Sequence, residues 1–300
     1  MCEKYKEIKE RFGQNWLPGY SAAAFTTYRA GGPFEALVTP AARYDLAWLR
    51  AFCARNDIPF RVLGAGSNVL VSDKGLKGVT AVTSKLDKVR ISGHTIEAEA
   101  GALWDDVARI SVENSLGGLE KTSGIPGTAG GAVFMNAGAF GQEIFDALES
   151  FETMDSTGYV KTLRKAGVKY GYRKVEGIEG LIILSAVFNL QAGDRKGLLI
   201  ERNRVLAQRA EKQPLEYPSA GSVFKRPPGD FAARLIDAAG LKGLRVGDAE
   251  VSRKHAGFII NLGNATASDI YALMQNVRAE VKDKAGVDLE PEQLLLGDFE

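Results

Sequence analysis

The stretch GIPGTAGGAVFMNAGAFGQE, residues 124–143, restricts this chain more than any other. Six glycines lie between Gly124 and Gly141, among Pro126, Asn136 and small side chains. Such a segment adds little to a hydrophobic core. Glycine permits positive φ and lacks the Cβ that would hold a ligand off the main chain. Successive unshielded N–H groups can then form a concave anion site. The density of glycine favours that use over a set of tight turns. A second cluster, Gly64-Ala65-Gly66-Ser67-Asn68, reads equally as a turn between strands or as a ligand cradle. Two such loops are able to grip a pyrophosphate from two sides, with Asn68 and Asn136 adding side-chain donors.

The common nucleotide motifs are missing. A dinucleotide fingerprint needs a third glycine and a helix directly after the loop. Here Val69 takes that place and a strand-like Val69-Leu70-Val71 follows, so the ribose-acid spacing of Asp87 carries no weight. No GxxxxGK[ST] phosphate loop occurs, because Lys121-Thr122 lacks the preceding glycine. Ala220-Gly221-Ser222-Val223-Phe224 does not supply the GxSxG nucleophile elbow. On spacing alone it is a polar turn entering a strand. His94 and His255 are the only histidines, a poor supply for a multi-histidine metal site or a Ser-His-Asp triad. Cys2 and Cys53 give neither a disulfide framework nor zinc-ligand spacing. No metal is expected.

At 300 residues the chain suits two or three compact units. Its formal net charge of +1 creates no global field toward nucleic acid or an anionic membrane. The N-terminus, MCEKYKEIKERF, has no apolar signal core, and no stretch approaches a transmembrane span. A cytoplasmic location is expected.

Tyr5, Ile8 and Phe12 have the spacing of a short helix. Residues 34–66 read β-α-β, with Leu46, Leu49, Phe52 and Cys53 as the helix stripe. Val69–Val71 reads as a short strand, and residues 79–100 as short strands with turns. Trp104, Val107, Ala108 and Val112 predict a helix. ESFETMDSTGYVKTL reads as a hairpin and GLIILSAVFNL as a buried strand. GLLIERNRVLAQRAEKQP reads as an amphipathic helix, with a boundary near 191–213. Phe231, Leu235, Ile236 and Ala239 mark another helix. HAGFIINLG reads as a strand. Thr266 and Asp269 have capping-box spacing before the stripe Ile270, Leu273, Met274, Val277 and Val281, which Gly286 ends. The mixture argues for an α+β fold.

In order, TTYRAGGP (26–33), LGAGSNVLVSD (63–73), GIPGTAGGAVFMNAGAFGQEI (124–144), YGYR (170–173), PSAGSVFKRP (218–227), LIDAAGLKGLRVGDAEVSRKHAGFIIN (235–261) and LEPEQLLLG (289–297) span nearly the whole chain. This ordered set resembles the UDP-N-acetylenolpyruvoylglucosamine reductase family, flavoenzymes of peptidoglycan synthesis. The resemblance implies an FAD-binding domain of the vanillyl-alcohol-oxidase type in two subdomains, followed by an α+β substrate domain. It implies subdomain 1 at 1–78, joined by the C-terminal strand 290–300, subdomain 2 at 79–195, and the substrate domain at 196–300. Noncovalent FAD is expected to meet Gly64, Ala65, Gly66, Ser67, Asn68, Thr122, Ser123, Gly124, Ile125, Pro126, Gly127, Thr128, Gly130, Gly131, Ala132 and Asn136. A flavin linked to His255 is not expected. Little room separates Arg173 from the strand at 181, so the chain resembles the shorter branch, which lacks an extra tyrosine-bearing loop.

The resemblance further implies that NADPH reduces the flavin and that a UDP-sugar enolpyruvate then takes the hydride. Arg173 matches the arginine expected to stabilise the resulting enolate, Ser222 the general acid, and Glu292 the third catalytic residue. A carboxylate beside a developing anion opposes it. Glu292 is therefore expected to carry a proton during reduction, or to orient a water or the arginine. Lys212, Lys225 and Arg226 are the substrate-binding candidates, with Lys254 behind them. Phe140 and Gln293 depart from the family pattern, and neither is expected to bear on the chemistry. The competing readings are an oxidase of the same superfamily acting on a small alcohol or sugar, and a non-enzymatic nucleotide-binding relative.

Overall fold

The computed structural model describes residues 3–299. The chain folds into two discontinuous compact units. One contains residues up to Pro18, Ala36–Ala65 and Gly78–Gln208; the other contains Gly19–Glu35, Gly66–Lys77 and the chain from Arg209 onward. The chain passes from one to the other inside the helix Arg195–Lys212.

Two sheets of more than two strands lie wholly or mainly in the first unit. The four-stranded one has the order Trp16–Pro18, Phe34–Val38, Leu76–Val82, Phe60–Leu63. The β-α-β reading of 34–66 holds as elements, yet its two strands are not neighbours, because Leu76–Val82 lies between them. The helix Arg43–Arg55 buries Leu46, Leu49, Phe52 and Cys53 in one core with Ile8, Phe12, Val79 and Ala81. This is the apolar stripe that the 3.6-residue period requires. The second sheet is antiparallel, in the order Val160–Arg164, Leu148–Met154, Ile182–Asn189, Thr95–Glu99, Val89–Ser92. Its central strand reads as a continuous apolar run because it is covered on both faces. The helix Trp104–Glu113 packs there, with Trp104 edge-on to Phe188 at 5.2 Å between ring centres.

The glycine-rich segment is not bare loop throughout. Residues Ala129–Phe134 form a helix, and the Thr128 side chain accepts from Gly131 N at its start. Sequence reasoning missed it because two glycines in six residues argue against a helix. Tertiary contact overrides that propensity: a Cβ at Gly130 would lie 2.8 Å from Ala100 Cβ.

In the second unit the helix Ala267–Ala285 has both capping-box bonds between Thr266 and Asp269, and Gly286 ends it in the left-handed conformation. Ile270, Leu273, Met274, Val277 and Val281 are buried, as their spacing predicts. This helix shares a core with the helix Ala232–Ala238 and the three-stranded sheet Arg245–Val246, Ala249–Val251, Ile259–Asn261. Of HAGFIINLG, only Ile259–Asn261 is strand. Phe231 lies outside its expected stripe. It sits at the helix start, exposed, with the Arg226 guanidinium 5.0 Å from its ring. Val69–Val71 pairs in parallel with Leu294–Leu296.

Candidate active site

Within the first unit, the start of the helix Trp104–Glu113 fixes the entry to the glycine-rich segment. Trp104 Nε1 donates to Thr122 Oγ1 at 3.0 Å, and that hydroxyl donates to Leu119 O. Gly124 N donates to Asp105 Oδ1 at 2.7 Å. The same carboxylate accepts both terminal nitrogens of Arg202, a buried guanidinium on the helix Arg195–Lys212. Sequence reasoning missed Trp104, Asp105 and Arg202 as supports. Trp104 reads as core, Asp105 as a first-turn acid, and Arg202 as one of many charges on a helix.

Thr122 and Ser123 are buried, Ile125 is half-buried and Pro126 is exposed. Among the described residues, the N–H groups of Gly127 and Thr128 make no hydrogen bond within the chain. Gly131 is exposed, and a Cβ there would meet only Thr128 Oγ1, at an ordinary 3.5 Å. Gly64 approaches the same threonine so closely that a Cβ would lie 2.4 Å from its Oγ1. The glycines thus divide into those the chain needs for its own packing, Gly64 and Gly130, and an open one, Gly131. Amides at 127–128 without an internal acceptor, beside an open backbone at 131, fit a diphosphate. Ala132 is buried within the helix.

Asn136 does not supply the ligand donor expected of it. It is fully buried, and its amide is committed inside the protein. Nδ2 donates to Glu143 Oε2 at 2.8 Å and to Gly171 O at 3.0 Å, while Oδ1 accepts from Phe145 N. This network instead bears on Arg173, which sits in the turn between the short strands Tyr170–Gly171 and Lys174–Val175 with φ 54°. Its guanidinium donates to Gly138 O at 2.6 Å and to Asn136 O at 3.2 Å, and lies 4.9 Å from the Tyr172 ring. The end of the glycine-rich segment therefore orients the arginine through main-chain carbonyls.

The Gly64–Asn68 cluster divides between the units, with Gly64 and Ala65 in the first and Gly66, Ser67 and Asn68 in the second. Asn68 Nδ2 donates to Glu292 O at 3.2 Å. Ser222 is half-buried, and an isolated bridge pairs it with Phe258. Val223 N donates to Gly257 O, and Val223 O accepts from Glu292 N at 2.8 Å. Residues 222–225 and 290–292 thus run side by side, and Ser222 and Glu292, 70 positions apart in sequence, stand on paired segments.

The cations expected to meet substrate lie in the same unit. Lys225 Nζ pairs with Glu290 Oε1 at 2.6 Å. Arg226 is exposed beside Phe231, and Lys212 is exposed at the end of its helix. Lys254 Nζ donates to Ala210 O at 2.7 Å. His255 Nδ1 accepts from Gly257 N at 3.1 Å, and burial, with Lys242 nearby, lowers its pKa. No helix among the described residues is long and apolar enough to cross a membrane.

Comparison with known proteins accounts for these segments together. Residues 34–164 match an FAD binding domain, and residues 213–296 match the C-terminal domain of UDP-N-acetylenolpyruvoylglucosamine reductase. The UDP-N-acetylenolpyruvoylglucosamine reductase of Lactococcus lactis subsp. cremoris (strain SK11) is 47% identical over 275 residues, covering 91% of this chain and 92% of that protein. The one from Streptococcus pneumoniae (strain JJA) is 44% identical over 297 residues, covering 99% and 98%. The crystal structure of UDP-N-acetylenolpyruvylglucosamine reductase from Thermus caldophilus superposes with a TM-score of 0.82 at 35% identity, covering 93% of this chain and 98% of that one. The α+β chain, with its FAD-binding domain, belongs to the UDP-N-acetylenolpyruvoylglucosamine reductase family of FAD-dependent oxidoreductases.

Proposed function

We propose that this protein reduces UDP-N-acetylglucosamine enolpyruvate to UDP-N-acetylmuramate with NADPH, in the cytoplasm, as a step of peptidoglycan synthesis. One observation carries the reading. The LGAGSN, PSAGSVF and LEPEQ motifs meet through main-chain and amide hydrogen bonds, Asn68 to Glu292 and Glu292 to Val223. Bound FAD supplies the hydride relay between NADPH and the enolpyruvyl group. The amides of Gly127 and Thr128 would hold its diphosphate, with Gly64, Ala65, Gly66 and Ser67 as the second loop.

Arg173 answers the charge that develops on the substrate carboxylate. A guanidinium is always protonated and can donate in bidentate fashion. Two of its donors are held by Gly138 and Asn136 carbonyls, which fixes the direction of the rest. Ser222 delivers a proton to the inner carbon of the enolate, and Glu292, on the paired segment, orients the groups around it. Lys212, Lys225 and Arg226 meet the UDP diphosphate; Lys225 exchanges Glu290 for it. The division into two flavin subdomains and a substrate domain belongs to the same proposal.

The test separates the half-reactions under anaerobic conditions. NADPH bleaches the yellow protein, and the enolpyruvyl sugar restores the colour. Ser222→Ala is expected to bleach normally and recover about 10²- to 10⁴-fold more slowly. Equal slowing of both halves removes Ser222 from the acid role. Colour restored by oxygen at the same speed as by the enolpyruvyl sugar defeats the substrate assignment.

A further inference from the structure

We propose that Gln293 is a positioning residue that holds the Ser222 segment against the Glu292 segment. The residue is 3% exposed. Nε2 donates to Ala220 O at 3.0 Å and to Gly221 O at 3.3 Å, the two carbonyls that precede Ser222. Oε1 accepts from the hydroxyl of Tyr28 at 2.9 Å, and Tyr28 is fully buried. Only this orientation of the amide satisfies every partner, because carbonyls cannot donate. Asn261 Nδ2 in turn donates to Tyr28 O at 2.9 Å, so the chain of bonds ends on a buried strand.

The main chain around Gln293 is tied as well. Glu292 N donates to Val223 O, and Leu294 N donates to Asn68 O. Gly221 has φ 74°, a left-handed joint directly before the hydroxyl that must stay aimed. The side chain of Gln293 bridges that joint from the residue next to Glu292. An apolar residue would strip Ala220 and Gly221 of this donor and strand a buried tyrosine hydroxyl. Gln293 touches no reacting atom; it acts through Ser222 and Glu292. The departure at 293 thus bears on the site without touching its reacting atoms.

The inference rests on the proposed roles of Ser222 and Glu292, and two measurements keep them apart. In the anaerobic assay, Gln293→Leu is expected to bleach with NADPH as the wild type does and to recover at least about tenfold more slowly, because small misplacements of a reacting group are costly. Gln293→Glu is expected to be slow at high pH and to regain rate as pH falls, since only a protonated carboxyl can donate to Ala220 O. The wild type should lack that acid recovery. Independently, hydrogen exchange of holoenzyme without substrate should quicken across 220–224 and 290–294 in Gln293→Leu. Equal recovery rates in a wild type that turns over, or unchanged exchange across both segments, overturn the inference. A wild type that the enolpyruvyl sugar fails to reoxidise sinks the substrate reading instead, and exchange alone then decides this one. If Gln293→Leu does not fold, Tyr28→Phe takes its place, with the same directions and smaller size.

Discussion

Gly130 and Gly131 are adjacent and obey different constraints. The first is buried against Ala100 and the second faces outward. Gly130→Ala should lower the melting temperature of the protein stripped of FAD, since overpacking costs about 1–3 kcal/mol. Gly131→Val should leave the stripped protein nearly as stable and weaken FAD binding, read as the fraction of bound flavin after gel filtration. Full occupancy in Gly131→Val would remove the diphosphate from that backbone. Composition made the segment conspicuous but did not say which glycine is packed into the fold and which leaves its backbone open. That distinction depends on Ala100, 30 positions before Gly130 and outside the segment. Asn136 teaches the same lesson, because its buried partners at 143, 145 and 171 are invisible in the motif. His255 gives a residue-level pH effect. Its pKa is lowered chiefly by burial, so the unfolded chain binds the proton more readily than the fold does. The stability tied to the neutral ring is complete above the ordinary value of 6.5 and is lost as pH falls below it toward the lower folded value. His255→Gln should flatten the melting-temperature profile on that acid side; an unchanged slope refutes the linkage.

Elements were legible where their causes are local. The capping box of Thr266 and Asp269, the apolar stripe and Gly286 lie within one helix of sequence, and each appears as expected. Thr266→Ala should cost about 1 kcal/mol, visible as a lower urea midpoint with an unchanged slope. Gln293→Leu, if it folds, gives the contrasting case, because its effect is expected in a rate rather than in a helix. The hairpin Leu148–Met154 with Val160–Arg164 was also legible, from alternation around a short turn. The helix Ala129–Phe134 was not, since its own residues disfavour it and its reason is packing. Nor could alternation say that Val69–Val71 pairs with Leu294–Leu296, more than two hundred positions away.

At the scale of the molecule, the family was legible from the order of its motifs, and the discontinuity of the units was not. A linear change of texture suggests a boundary, whereas Gly19–Glu35 and Gly66–Lys77 belong with the last third of the chain. Deleting residues 289–300 should therefore damage more than a tail. It removes Glu292, the partner of Val69–Val71 and the bond to Asn68. Exchange protection at 69–71 should vanish and enolpyruvyl-dependent reoxidation should cease. Retained protection at 69–71 would show that another element covers that edge.

The parallel pairing of Val69–Val71 with Leu294–Leu296 also sets a schedule for biosynthesis. The earlier strand leaves the ribosome long before its partner has been translated. Until Leu294–Leu296 are made, its apolar edge has no native mate and is open to wrong ones. Native pairing of this edge must therefore wait for Leu294–Leu296 to be made, and a chaperone that shields residues 66–77 during elongation would raise the yield.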